Sequence, residues 1–269
     1  MNTIGFIGSG NMAEALIKGI IAAGVYKPDS ISISDIRTER LELLAERYNV
    51  VALEKNDQLA VKSDVVVLSV KPQNMADVLG DIKEAVRPGT LVISIAAGIK
   101  VAKISSVLGD IAIVRVMPNT PALIGEGASA LFANEKAKPM LERAKVIFSA
   151  VGKAVIIEDE DLMDAVTAVS GSGPAYYFLL TEEMIKAAVD LGLSEDVAKN
   201  LVLQTAKGAA LLAASADEQG ESPAQLRQKV TSPGGTTEAA LKVFAEGRFG
   251  LLVSSAIKRA RDRGRELSG

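Results

Sequence analysis

At 269 residues the chain can hold one large domain or two smaller ones, and its 48% apolar and 23% charged residues exclude a disordered polymer. A net charge of -3 with no basic stretch interleaved with aromatics gives no footing for nucleic acid, so small molecules are the expected partners. Cysteine and histidine are both absent, which removes disulfides, thiolate nucleophiles and imidazole or thiolate metal sites. No metal is expected, and proton transfer falls to hydroxyls, carboxylates, lysine, water or the substrate.

The chain enters a strand at Ile4, Phe6 and Ile7, breaks at Gly8-Ser9-Gly10, and starts an Ala-rich helix over Met12–Ala23. Strand, glycine turn and helix N-terminus in this order suit a dinucleotide. Gly8 permits the tight turn, Gly10 lacks a side chain where a pyrophosphate comes close, and Ala13 keeps helix and strand near each other. The helix N-terminus adds unpaired N–H groups and a partial positive charge.

Ser30–Asp35 alternates as a strand and Glu39–Tyr48 reads as an amphipathic helix. Val65–Val70, Leu91–Ile95 and Ile111–Val116 are apolar runs of the kind buried on both faces of a parallel sheet, with helices expected at Met75–Val86 and Val101–Leu108 between them. Strands at Ser129–Ala133 and Ala154–Ile157 flank a helix at Lys136–Ala150. The repetition predicts an α/β fold with an N-terminal doubly wound, Rossmann-like, mostly parallel sheet over residues 1–161.

Residues 162–269 read as an all-α domain. Helical spacing covers Leu162–Val169, Ala175–Leu191, Glu195–Ala216, Ala224–Val230, Thr237–Ala245 and Phe249–Leu267, separated by Gly- and Pro-containing breaks. The boundary is placed at Glu158–Asp161, a mostly solvated acidic run leading into a helix N-terminus. Leu201–Ala216 carries one charge, Lys207, and is apolar or small around most of its circumference, so a second subunit is expected to cover it. The basic end, Lys258 to Arg265, reads as a solvated helix terminus. The chain has no run of 18 uncharged apolar residues and no basic region followed by an apolar signal segment, so the cytoplasm is the expected location.

Loops after the strands are the expected ligand contacts. Asp35 offers a partner for a ribose 2′-hydroxyl and Arg37 one for a 2′-phosphate; the sequence leaves the choice open. Lys71-Pro72-Gln73 is either a rigid path along a cofactor or a proline-fixed turn. Ala96-Ala97-Gly98 suits close backbone approach, and Met117–Pro121 (MPNTP) is a stiff loop. Ser170–Pro174 (SGSGP) is either a helix hinge or a backbone nest. Val230–Leu241 (VTSPGGTTEAAL) brings N–H groups and two hydroxyls together; it suits a small carboxylate, or Thr236 or Thr237 simply caps the next helix.

Taken together, GFIGSGNM, VKPQ, SIAAG, MPNTPA, SGSGPAY and VTSPGGTTEAAL, in this order from Ile4 to about Leu267, resemble the pyrroline-5-carboxylate reductase family. The resemblance implies NAD(P)H-dependent reduction of the cyclic imine 1-pyrroline-5-carboxylate to L-proline, the last step of proline biosynthesis. It also implies a helical domain that interleaves into a homodimer, often assembled into a decamer. Carried onto this chain, Ile7, Gly8, Ser9, Gly10, Asn11 and Met12 would hold the pyrophosphate. Ser34, Asp35 and Arg37 would face the adenosine end, with Asn56 near the adenine, while Ser69, Val70, Lys71, Pro72, Ala96 and Ala97 line the cofactor. The family's substrate loop falls on Ser232–Thr237, with the amides of Gly234, Gly235 and Thr236 on the carboxylate and Thr237 by the ring nitrogen as the catalytic candidate. The family favours NADPH; Asp35 keeps NADH as an alternative.

Two other readings share the glycine turn. A 3-hydroxyacid dehydrogenase-like oxidoreductase needs a lysine just after the interdomain glycine loop, and the first one here is Lys186, far along its helix. A non-catalytic dinucleotide-sensing protein would not need an organised SPGGTT segment.

Overall fold

The computed structural model describes residues 3–268. The chain runs β1 (Ile4–Ile7), α1 (Asn11–Ala22), β2 (Ile31–Ser34), α2 (Thr38–Tyr48), β3 (Val51–Ala52), α3 (Asn56–Lys62), β4 (Val65–Leu68), α4 (Met75–Ile82), β5 (Leu91–Ser94) and α5 (Val101–Leu108). It continues with β6 (Ala112–Met117), β7 (Gly127–Ala133), α6 (Leu141–Ser149) and β8 (Gly152–Ile156). The strands form one eight-stranded sheet in the order β3-β2-β1-β4-β5-β6-β7-β8. All neighbours are parallel except β6 and β7.

Side-chain alternation splits the core. Ile4 and Phe6 of β1 and Val65 and Val67 of β4 pack on the α1, α2 and α6 face, while Ile7, Val66 and Leu68 pack against α3, α4 and α5. Burial on both faces explains why β1, β4 and β5 read as continuous apolar runs. Two short elements were not expected. β3 is two exposed residues at the sheet edge, and α3 is a seven-residue helix that buries Leu59 and Ala60. The helix expected at Lys136–Ala150 begins as a 3₁₀ segment, Glu135–Met140, because Pro139 cannot donate a helical N–H; α6 proper starts at Leu141.

Beyond β8 come α7 (Met163–Val166), a π-helical turn over Thr167–Gly171, α8 (Gly173–Asp190), α9 (Glu195–Asp217), α10 (Pro223–Lys229), α11 (Thr236–Glu246) and α12 (Phe249–Ser268). The chain divides into two compact units, one reaching to Pro174 and taking in the chain from Lys258, the other spanning Ala175–Ile257. This division lies beyond the boundary expected at Asp161, and contacts on both sides of that residue tie the acidic run and the segment after it to the sheet. The Glu160 carboxylate accepts from Arg115 Nη1 of β6 at 3.0 Å and from the Val101 N–H of α5 at 2.8 Å, with Arg115 only 4% exposed. Glu160 is therefore largely withdrawn from solvent, while Glu158, Asp159 and Asp161 are exposed, as expected of the acidic run. Its neighbour Asp159 accepts from the Asp161 N–H at 2.9 Å and caps the turn that follows. Asn119 of the MPNTP loop donates to the Ser170 carbonyl at 3.2 Å, holding the SGSGP segment to the same unit.

In the second unit, the described residues between Ala175 and Ile257 include only three that are buried, Ala198, Val202 and Ala216. No helix among the described residues is long and apolar enough to cross a membrane.

Removing one member of the buried pair strands the other charge, so Arg115→Ala is expected to cost about 3 kcal/mol in reversible urea unfolding. A loss under about 1 kcal/mol would place Glu160 in water.

Candidate active site

The ends of β1 and β4 lie side by side at the point where strand order reverses, the place an open α/β sheet offers to a ligand. Gly8 leaves β1 with φ +92°, and a Cβ there would stand 2.5 Å from the Ser69 carbonyl oxygen that follows β4. Its N–H donates to Ser34 O at 2.8 Å, and the Ser69 N–H donates to Ile7 O at 2.8 Å. The turn is thus pinned to both neighbouring strands, and only glycine fits it.

Gly10 differs. It is the N-cap of α1 with φ -71° and ψ -175°, nothing lies within 4 Å of where its Cβ would be, and no side chain caps the helix. The protein gives no steric reason for glycine there. Open space before uncapped N–H groups fits an anion brought close to the backbone. Ala13, fully buried, packs the helix on the sheet as expected.

Helix α2 holds the turn from the other side. Arg40 Nε donates to Ser9 O at 2.7 Å, and its guanidinium pairs with Glu14 of α1. Glu14 also accepts from Arg47 at 2.7 Å and from the Tyr48 hydroxyl at 3.0 Å. Burial works against its charge, but the bonds from Arg40 and Tyr48 prevail and hold its carboxyl below the ordinary range. Sequence reading missed this clamp. Its signal was one acid in the first turn of α1 and two arginines seven residues apart on α2.

Ser34, at the end of β2, is buried and donates to Asn56 Oδ1 at 2.8 Å, and Asn56 Nδ2 donates to Asp81 at 2.9 Å. Asn56 is therefore anchored by its own side chain at the start of α3. Asp35 accepts from the Ser9 N–H at 2.7 Å and from Arg37. Burial opposes its charge, and the Arg37 and Ser9 bonds hold it below the usual carboxylate range. Ser69 and Val70 are half-buried beside the turn, Lys71 and Pro72 are exposed, Ala96 is buried and Ala97 exposed. Ile7 and Ser9 are buried, with Asn11 exposed and Met12 half-buried at the helix start.

The other candidates lie in the second unit. Gly234 adopts φ +71°, and the N-cap of α11 is Gly235 with no side-chain cap bond. Capping by Thr236 or Thr237 is therefore corrected: both already stand in the first helical turn, one step too far along to cap it. The Gly235 N–H donates to Ser232 O at 3.0 Å, and the Gly234 N–H donates to Glu238 Oε2 at 2.8 Å. Two of the three amides expected to hold a carboxylate thus have partners within the loop, one of them a carboxylate. Ser232 is exposed and Thr237 half-buried. Lys186, the residue a 3-hydroxyacid dehydrogenase reading would need, bonds Glu182 at 2.6 Å and Glu183 at 2.8 Å, and both hold it protonated.

The sequence profile described as pyrroline-5-carboxylate reductase dimerisation matches residues 160–267, and that of NADP oxidoreductase coenzyme F420-dependent matches residues 3–98. The chain is 47% identical to a pyrroline-5-carboxylate reductase of Pseudomonas aeruginosa over 98% of its own length and 96% of the other. It superposes on a pyrroline-5-carboxylate reductase structure from Coxiella burnetii with a TM-score of 0.94 and 42% identity, covering 100% of this chain and 99% of that one. For the Plasmodium falciparum pyrroline carboxylate reductase with NADP bound, the TM-score is 0.87 and the identity 32%, over 100% and 98% of the two chains.

The two glycines of the turn should separate experimentally. Gly8→Ala meets both strain and a backbone clash and is expected to lose about 2–3 kcal/mol of stability in denaturant unfolding. Gly10→Ala should melt within a degree or two of the parent, yet weaken dinucleotide binding at least tenfold in a fluorescence titration.

Proposed function

Because the chain belongs to the pyrroline-5-carboxylate reductase family, we propose that it draws hydride from NADPH held at the β1–α1 turn and holds its substrate through Ser232–Thr237. The reaction is the reduction of 1-pyrroline-5-carboxylate to L-proline, an oxidoreductase step of proline biosynthesis. The observation that carries the cofactor half is the pairing of a sterically unexplained Gly10 with the uncapped N-terminus of α1. Ile7–Met12 form that cradle, Ser34, Asp35, Arg37 and Asn56 lie toward the adenosine end, and Ser69–Pro72 with Ala96 and Ala97 border it.

When bound, NADPH supplies the hydride that adds to the imine carbon as a proton completes the amine. The rest falls to this chain. The carbon is most electrophilic when its nitrogen is protonated, and that proton is available from solvent, so the lack of histidine is no obstacle. The substrate's carboxylate seeks N–H donors at a helix N-terminus, and α11 offers one that no side chain caps. A carboxylate reaching the Gly234 amide would displace Glu238, leaving the Gly235 turn and the Thr236 N–H beside it. The Thr237 hydroxyl, one position further on in the first turn of α11, would orient the ring nitrogen. Catalysis then rests on binding and orienting the reactants more than on acid–base chemistry.

Helices α8, α9 and α12 support the homodimer. Tyr177 is 72% exposed, Leu211 55% and Leu252 66%, and each adjoins a further exposed apolar residue. So much bare apolar surface on a unit with three buried residues calls for a second copy. Assembly of such dimers into a decamer and a cytoplasmic location complete the proposal.

Thr237→Ala should lower kcat/KM for 1-pyrroline-5-carboxylate by about 10- to 100-fold, or roughly 1.4–2.8 kcal/mol of transition-state stabilisation, read as loss of NADPH absorbance. Unchanged kinetics would leave Thr237 as a helix residue only. Equilibrium sedimentation at micromolar concentration should give no folded monomer; a stable monomer would remove the covering subunit.

A further inference from the structure

The loop after β2 carries two signals for different cofactors, a carboxylate that suits a ribose 2′-hydroxyl and an arginine that suits a 2′-phosphate. The structure gives them one joint role. The Asp35 side chain is 6% exposed. Its Oδ2 accepts from the Ser9 N–H at 2.7 Å and from Arg37 Nη2 at 3.0 Å. Its Oδ1 accepts from the Arg37 N–H and from Arg37 Nε, both at 3.0 Å. A carboxylate has about four lone-pair positions, so these donors fill it and leave no acceptor for a ribose hydroxyl. The Arg37 side chain is 57% exposed, and its two-pronged pairing uses Nε and one terminal nitrogen, leaving Nη1 outside the pair.

We propose that Asp35 is a positioning residue for Arg37: it ties the guanidinium to the glycine turn through Ser9 and presents the remaining N–H edge to the 2′-phosphate, so that it selects NADPH and does not read NADH. The inference rests on the reading of the turn as an NADPH site. An exposed arginine otherwise spreads over many rotamers, and a planar fork held at two points surrenders less freedom when it meets a phosphate. By its charge alone Asp35 would repel a phosphate, so the positioning and repulsive roles predict opposite signs.

The test is a double-mutant cycle on the full-length protein, read as Kd for NADPH and for NADH from the fluorescence of the reduced nicotinamide without substrate. Asp35→Asn keeps the shape but puts a donor or a neutral oxygen against the fork. It should weaken NADPH about three- to tenfold and NADH by a clearly smaller factor. Arg37→Ala should weaken NADPH at least as much, and adding Asp35→Asn to it should change NADPH affinity less than twofold. Arg37→Lys keeps the charge without the fork and should show the same NADPH-selective loss, which keeps the idea testable if Asp35→Asn melts early. Tighter NADPH binding by Asp35→Asn, a loss falling mainly on NADH, or additive effects in the double variant would each overturn the positioning role. If Arg37→Ala leaves NADPH affinity untouched, what fails is the underlying reading of Arg37 as the phosphate contact, and the role of Asp35 fails with it.

Discussion

The approach of Gly8 to the Ser69 carbonyl is the constraint on which the cofactor half of the molecule depends. A Cβ at Gly8 would stand 2.5 Å from that oxygen, and the residue's φ of +92° is one that side chains avoid. The approach is forced by topology. Strands β1 and β4 are parallel neighbours in matched register, Ile7 opposite Leu68, so both chains leave the sheet at the same level and must turn away from each other. One leads into α1 and the other toward α4, so the N-terminus of α1, with no side-chain cap, follows directly on the glycine turn at the end of β1.

What keeps that backbone in place is electrostatic and comes from the next unit of the fold. Ser9 is held at both ends of its peptide: its N–H by Asp35 and its carbonyl by Arg40. Neither bond would be worth much at an open surface. Here the carboxylates of Asp35 and Glu14 are 6% and 18% exposed, and each is met by more than one donor, so the pairs act as networks of charge-assisted bonds. Both carboxyls are held below their ordinary values, so this stabilisation is present above the unfolded carboxylate pKa and is lost as pH falls through the folded one. That backbone is kept in shape by two acids, one bonded to the Ser9 N–H itself and the other acting through Arg40.

The fold was legible wherever an apolar pattern was long enough to have a period. The VVVLSV run, the SISISD alternation and five of the six helices of the second half appear within two residues of their expected ends; the first, expected at Leu162–Val169, is α-helical only over Met163–Val166 and continues as the π-helical turn. Legibility failed where elements were short or partners distant. Val51–Ala52 is too brief to alternate, and NDQLAVK makes barely two turns. Arg115 broke an otherwise apolar strand, which was a signal of something buried and charged, yet nothing local said that its partner was Glu160. The site divides the same way. Motif residues such as Gly8 and Gly10 were visible because their role is local. The Asp35–Arg37–Ser9 knot was not, because its meaning lies in which lone pairs are already filled.

The Val230–Leu241 segment shows how far a helix terminus can be read. Two threonines after a glycine pair look like caps, but a cap must sit outside the first turn, and α11 begins at Thr236 itself. Gly235 takes the cap position without a side chain to fill it, and the acid three residues into the helix, Glu238, reaches back to Gly234. In an ordinary capping box such an acid works with an N-cap hydroxyl that bonds the helix N–H groups. Here that hydroxyl is missing, so the Gly234 N–H is satisfied by an exposed carboxylate and the helix's own first N–H groups have no side-chain cap. Serine or threonine at Gly235 would not simply add a cap: its Cβ would stand 3.0 Å from the Ser232 carbonyl oxygen, so the turn that enters α11 itself favours glycine, and the missing side-chain cap follows from that turn.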